Sequence, residues 1–168
     1  MHSLSNQAAL LFAHLRAYAT ATQALTAWCD ARFPQSGDRV ETHVLETREI
    51  SPTAYRGPLQ PKASEPLICR RVELRWGKLI LSQATNWYFP DRLPGDAARR
   101  ISETREPFGA AIAGFNPSRR LLSVAAPDPA RAGKILMCIH ALVLCANVEI
   151  AEVRETYLDI VSLPLSAS

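Results

Sequence analysis

Residues 67–109 constrain this chain most, because they read as two β-strands around a tight turn, followed by a proline-stopped exit, a helix and a Pro-Phe-Gly turn. In Leu67–Trp76 the side chains alternate. Ile68, Arg70, Val72 and Leu74 share one face, and Cys69, Arg71, Glu73 and Arg75 share the other. Gly77 and Lys78 supply the turn, Leu79–Phe89 returns as a strand rich in apolar and aromatic residues, and Pro90 stops it. One row of this hairpin therefore carries an arginine among apolar side chains. A mostly apolar row is usually a buried one, and a guanidinium taken out of water needs a counter-charge. Its partner is either a protein carboxylate or the carboxylate of a ligand, and the hairpin alone leaves both open.

The flanking segments say what the hairpin packs with. Residues 5–33 have helical periodicity, with Leu11, Leu15, Tyr18, Thr22 and Leu25 at three- and four-residue steps; a break near 18–22 would make two helices. His43–Glu49 reads as a strand with Val44, Glu46 and Arg48 on one face. Residues 51–66 hold prolines 52, 58, 61 and 66 and form a loop, of a length that often covers something. Pro94–Thr104 is expected to be helical with Ala97, Ala98 and Ile101 inward, and Arg119–Ala126 to be a strand. A second proline-marked loop follows at 126–133. Lys134–Cys145 and Val148–Val161 are strands around an Ala146–Asn147 turn, with Val153, Glu155 and Tyr157 on one face of the last; the tail from Ser162 is loose. There is no βαβ rhythm and no glycine-rich phosphate loop, which argues against a parallel nucleotide-binding sheet. The expected fold class is α+β: an antiparallel sheet of about six strands with helices packed on it. It forms one domain over 1–168, with a helical segment at 5–33 and the sheet and its flaps at 40–161.

Composition narrows the function. A formal charge of +3, with arginines scattered rather than clustered among aromatics, argues against nucleic acid as a partner and leaves a small anion attractive. Cysteines 29, 69, 138 and 145 and histidines 2, 14, 43 and 140 show no metal-ligand spacing, so no metal is expected. The cysteines read as small buried hydrophobes in a reducing cytoplasm. Apolar runs are too short for a membrane span, and the N-terminus lacks the basic start of a signal peptide. His140 is expected to satisfy a hydrogen bond in or beside the sheet, and Arg119–Arg120 to lie on the solvated surface.

Several short motifs, in order, give the chain a resemblance to the chorismate pyruvate-lyase family. They are LICRRVEL (67–74), Gly77, Asn86–Pro90, TREPFG (104–109) and VRETYL (153–158), with a Thr22-Gln23-Ala24-Leu25 helix step before them. The resemblance implies a six-stranded antiparallel sheet with a ligand enclosed between sheet and helical flaps. It also implies cofactor-free elimination of pyruvate from chorismate to give 4-hydroxybenzoate, a step towards ubiquinone. Carried over by position, Arg70 would hold the ring carboxylate and Glu155 would stand at the ring's 4-position. Phe108 would touch the ligand from the Pro-Phe-Gly turn, and Ala21 would lie beside the ring. The chain departs from the family at Asn86, which stands where a second arginine is expected.

These residue types suit the chemistry. A fixed guanidinium clamps a carboxylate through two parallel bonds, each contributing about 1.5–3 kcal/mol. Aromatisation of the ring drives elimination without a metal, and a glutamate kept protonated by burial would donate to the departing oxygen. The effector-binding domains of some bacterial transcription regulators share the same fold. The alternative to a lyase is therefore a non-catalytic sensor of a small aromatic or cyclohexadienyl carboxylic acid, with Asn86, Trp87 and Tyr88 shaping a pocket for a less charged ligand. Two blander roles stand beside these: Arg70 as a strand arginine paired to a neighbouring carboxylate, and Arg70 and Glu155 neutralising each other.

Overall fold

The computed structural model describes residues 4–127, 130 and 134–159. Two helices open the chain: α1 (Asn6–Arg16), capped by the Ser5 hydroxyl accepting from the Ala8 amide at 3.2 Å, and α2 (Ala21–Arg32). The expected break falls between them because Thr20 and Gln23 form a reciprocal capping box, which starts a new helix at Ala21.

Six strands follow: β1 (Val40–Ile50), β2 (Leu67–Trp76), β3 (Leu79–Tyr88), β4 (Ser118–Ala125), β5 (Ile135–Cys145) and β6 (Val148–Leu158). They form one antiparallel sheet in the order β1-β2-β3-β6-β5-β4. The β2–β3 and β5–β6 hairpins meet at its centre through β3 and β6. Their turns match their residues: Gly77 has φ +55°, and Ala146 and Asn147 have φ +48° and +63°, the doubly left-handed turn that suits the twist of paired strands. Between β3 and β4 lie α3 (Ala97–Glu103), shorter than the expected 94–104, and α4 (Phe108–Ile112). The expected end of the last strand, Ile160 and Val161, lies outside the described residues, as do the tail and most of the 126–133 loop.

The helices cover one sheet face. Leu11, Leu15, Leu25, Trp28, Ile101, Phe108 and Ile112 pack there on Leu74, Tyr88, Ile139, Ala141, Val153 and Tyr157. The opposite face is covered by the proline-rich 51–66 loop, where Leu59 and Tyr55 pack with Leu67, Phe89, Leu142 and Trp87. The loop is pinned by Arg92, which donates twice to Glu65 at 2.6 Å and to the Gln60 carbonyl at 2.8 Å.

One expectation about β1 fails. A bulge at Leu45 shifts the register, so Val44 pairs with Val72 while Glu46 pairs with Arg71. Val44 and Glu46 therefore lie on opposite faces, since an extra residue inverts the alternation beyond it. Glu46 can then reach Arg71 at 3.4 Å.

Candidate functional site

The antiparallel register sets the helix-side face in rows. Arg70 on β2 stands opposite Asn86 on β3, which stands opposite Val153 on β6. The next row runs Val72, Ala84, Glu155. Arg70 and Glu155 thus share a face, one row and two strands apart, or roughly 12 Å between Cα atoms by sheet spacing. The helical layer adds Ala21 and Thr22 from the first turn of α2, and Phe108 and Gly109 from α4. Gly109 is required there: a Cβ at that position would stand 2.8 Å from Thr22 Oγ1 and 3.0 Å from Thr20 Cβ. Between these layers lies a cavity of about 50 Å³ whose walls include Ala21, Thr22, Thr42, Asn86, Phe108 and Glu155. Four of the five residues singled out from sequence thus line one space: Ala21, Asn86, Phe108 and Glu155.

Arg70 is the fifth, and it lies off that wall, beside its cross-strand neighbour Asn86. It is 2% exposed, and neither Nη1 nor Nη2 has a hydrogen-bond partner among the described residues. Burial pushes its pKa down from the ordinary guanidinium value, and Tyr88 nearby offsets part of that. Tyr88 in turn packs on Phe108, with ring centroids 5.6 Å apart. Thr42, on β1 and 1% exposed, also leaves its hydroxyl without a partner at the cavity wall. The Asn86 side chain, 4% exposed, makes no hydrogen bond among the described residues.

Glu155 is held differently. It accepts from Arg119 on β4 and from the Tyr157 hydroxyl at 2.9 Å. Arg119 was expected on the solvated surface, but its side chain is 20% exposed and lines the cavity; Arg120 beside it is exposed as expected. Burial alone would lower the Arg119 pKa, yet the Glu155 carboxylate outweighs it and raises it. Burial, then Glu155, push the Tyr157 hydroxyl well up. Both donors reach the same carboxylate oxygen of Glu155, Oε2, so this carboxylate is engaged by Arg119 and Tyr157. It also does not neutralise Arg70.

Sequence reasoning missed Arg119 and Thr42, and it named Thr22 only as part of the helix step. The available signal for Arg119 was its step of two to Leu121 at the start of a strand, which places it on one face and Arg120 on the other.

The opposite face carries a polar cluster of another kind. Glu152 is fully buried and meets the Tyr55 hydroxyl, His140 Nε2 at 2.7 Å and Arg154 Nε at 3.0 Å. The hydrogen bond expected of His140 is therefore present. Among the described residues no three His, Cys, Asp or Glu side chains are grouped to hold a metal ion, and no helix is long and apolar enough to cross a membrane.

No protein-family model matches the chain. It is 34% identical over 115 residues to the uncharacterized protein y4mC of Sinorhizobium fredii, a match that covers 67% of this chain and 48% of that one. The chain thus spans about half the length of that relative. Among solved structures it is similar to the effector domain of PhnF from Mycobacterium smegmatis, with a TM-score of 0.54 and 14% identity, covering 83% of this chain and 88% of that one. It is also similar to the C-terminal domain of the histidine utilization repressor from Pseudomonas syringae pv. tomato, with a TM-score of 0.50 and 9% identity, covering 72% and 92%. At these identities the likeness concerns architecture. The chain has the α+β fold of these regulator domains, the chorismate lyase-like fold of six antiparallel strands with helices on one face.

Proposed function

We propose that this protein is a non-catalytic small-molecule-binding domain whose ligand is a small organic acid, with Arg70 as the carboxylate anchor. The observation that carries this is the buried Arg70 guanidinium with both terminal nitrogens unpartnered. Leaving a buried charge without a partner costs several kcal/mol, and an incoming carboxylate would recover it through two parallel bonds. Asn86, directly across from Arg70 on β3, offers a neutral hydrogen-bonding group beside that anchor; Thr42 and Thr22 offer others in the adjoining cavity, where Ala21 and Phe108 offer apolar contact. Asn86 in place of a second arginine favours a monocarboxylate over a dianion such as chorismate.

Fold likeness to regulator effector domains supports sensing, and the arrangement at Glu155 disfavours elimination. A lyase of the expected kind needs a proton donor at the departing oxygen, whereas Glu155 already accepts from Arg119 and Tyr157. The cavity, about 50 Å³, is small for a benzoate ring, so binding requires it to widen.

Thermal-shift titration with 4-hydroxybenzoate and a panel of aromatic and alicyclic monocarboxylates tests this. A ligand at a hundred times its Kd stabilises by about 2.7 kcal/mol, a rise of roughly 5–10 °C for a domain of this size. Wild type is expected to shift with at least one acid, and Arg70→Met with none. Equal shifts in both proteins would refute the anchor. Release of pyruvate from chorismate by wild type but not by Arg70→Met would make the protein a lyase instead.

A further inference from the structure

A second, larger space of about 480 Å³ lies between α1 and the β4–β5 edge of the sheet. It meets the inner cavity at a shared wall of Ala19, Pro117 and Arg119. Its lining is mostly apolar, with Phe12 and Leu15 from α1 facing Leu121 and Ile139 from the sheet. Two cations, Arg16 and Arg119, also line it, and no carboxylate does. Arg119 is shared with Glu155 behind the wall. Arg16 has no ion pair or hydrogen bond among the described residues; its guanidinium lies 5.8 Å from the Phe12 ring centroid. Leu121 is 46% exposed, a large aliphatic side chain left open to water beside an unpaired cation.

We propose that this cleft is a binding site for an amphipathic organic anion, separate from the Arg70 site. The apolar body lies against Phe12, Leu15, Leu121 and Ile139, and the anionic group sits between Arg16 and Arg119. The volume falls in the range of small-molecule pockets, roughly 300–1,000 Å³, and a few charged groups in an apolar cleft are what orients such a ligand. Charge complementarity selects an anion, because Arg16 and Arg119 line the cleft with no carboxylate beside them on its wall. In binding, Arg119 divides its donors between Glu155 and the ligand, so the pair stays intact while the cleft fills.

The test is a fluorescence titration of the folded protein with 8-anilinonaphthalene-1-sulfonate, an aryl sulfonate of this chemistry. Octanoate and octan-1-ol serve as competitors. Wild type is expected to show one saturable site, displaced by octanoate and at least tenfold less well by octan-1-ol. Arg16→Glu and Leu121→Glu change exposed or half-exposed positions, so both variants should keep the wild-type Tm. Each is expected to weaken dye binding at least tenfold. Unchanged affinity in both variants, or no saturable site in wild type, would overturn the proposal. So would displacement of the dye by 4-hydroxybenzoate at concentrations that raise the Tm, because that places the dye in the inner cavity. Failure of the Arg70 reading leaves these outcomes unaffected, since the readout is a different ligand on different residues.

Discussion

The two faces of the sheet treat buried charge in opposite ways. On the loop side, Glu152 is entirely buried, yet Tyr55, His140 and Arg154 all converge on it. Farther along the same face, Glu73 accepts from Arg75 and Gln83. On the helix side, Arg70 is as deeply buried, and its terminal nitrogens have no partner among the described residues. Thr42, Trp28 and Trp76 leave buried polar atoms unmet on the same side. A folded chain that can satisfy one face so completely does not leave the other unmet through poverty of partners; the sheet carries carboxylates on both sides. On the reading proposed above, the loop-side cluster closes the fold, and the Arg70 guanidinium is left for a ligand.

That contrast can be broken most forcefully at Glu152. Glu152→Gln removes the charge that Arg154 meets; Arg154 is 57% exposed, so no charge is left stranded in the interior, and the weakened hydrogen bonds cost about 2–3 kcal/mol. Urea denaturation should show that loss with binding at the Arg70 site retained in the folded fraction. A loss under 1 kcal/mol would mean the loop-side cluster is dispensable. Gly57→Ala is a milder break of the same face. Its Cβ would collide with the Tyr55 hydroxyl and the Glu152 carboxylate, so about 1–3 kcal/mol should be lost, again by denaturation.

The smallest effect is in pH. Hydrogen bonds from Arg92, only partly offset by burial, hold the Glu65 carboxyl below its usual value of 4.5. A carboxylate whose pKa is depressed by folding contributes stability that is complete above the unfolded value. That contribution is lost as pH falls below 4.5 and through the folded value. Glu65→Gln should therefore cost about 1 kcal/mol at pH 7 and progressively less at acid pH, measured as Tm against pH. A pH-independent difference would show that the Glu65–Arg92 contact acts through packing alone.

How much of this was legible in the sequence follows from which interactions are local. The β2–β3 and β5–β6 hairpins could be read because period-two alternation and turn residues act within a few positions: LICRRVELRW, Gly77 and Ala146–Asn147. The burial of Arg70 followed from the same alternation. The bulge at Leu45 could not be read, because an extra residue shows only against the partner strand. Nor could the burial of Arg119, which depends on Glu155 thirty-six positions later on a strand beyond β5. The 51–66 loop was recognised as a cover, but which face it covers is set by Tyr55 meeting Glu152, a contact across 97 positions. Likewise, alternation grouped residues only within each strand, and the resemblance alone set Arg70 and Glu155 at one ligand; the register shows that they share a sheet face, and the fold that Glu155 is already engaged.

The most direct measurement is the stability of Arg70→Met by urea denaturation without added ligand, set beside its affinity for the stabilising acid. If the guanidinium is held unpaired for a ligand, an apolar side chain of similar length should leave the free protein as stable as wild type or stabler by about 1–2 kcal/mol, while acid binding is lost. A variant that loses 3 kcal/mol or more without ligand, as a broken internal ion pair would, contradicts the account. Arg70 would then be a structural residue, and the two faces would not differ in kind.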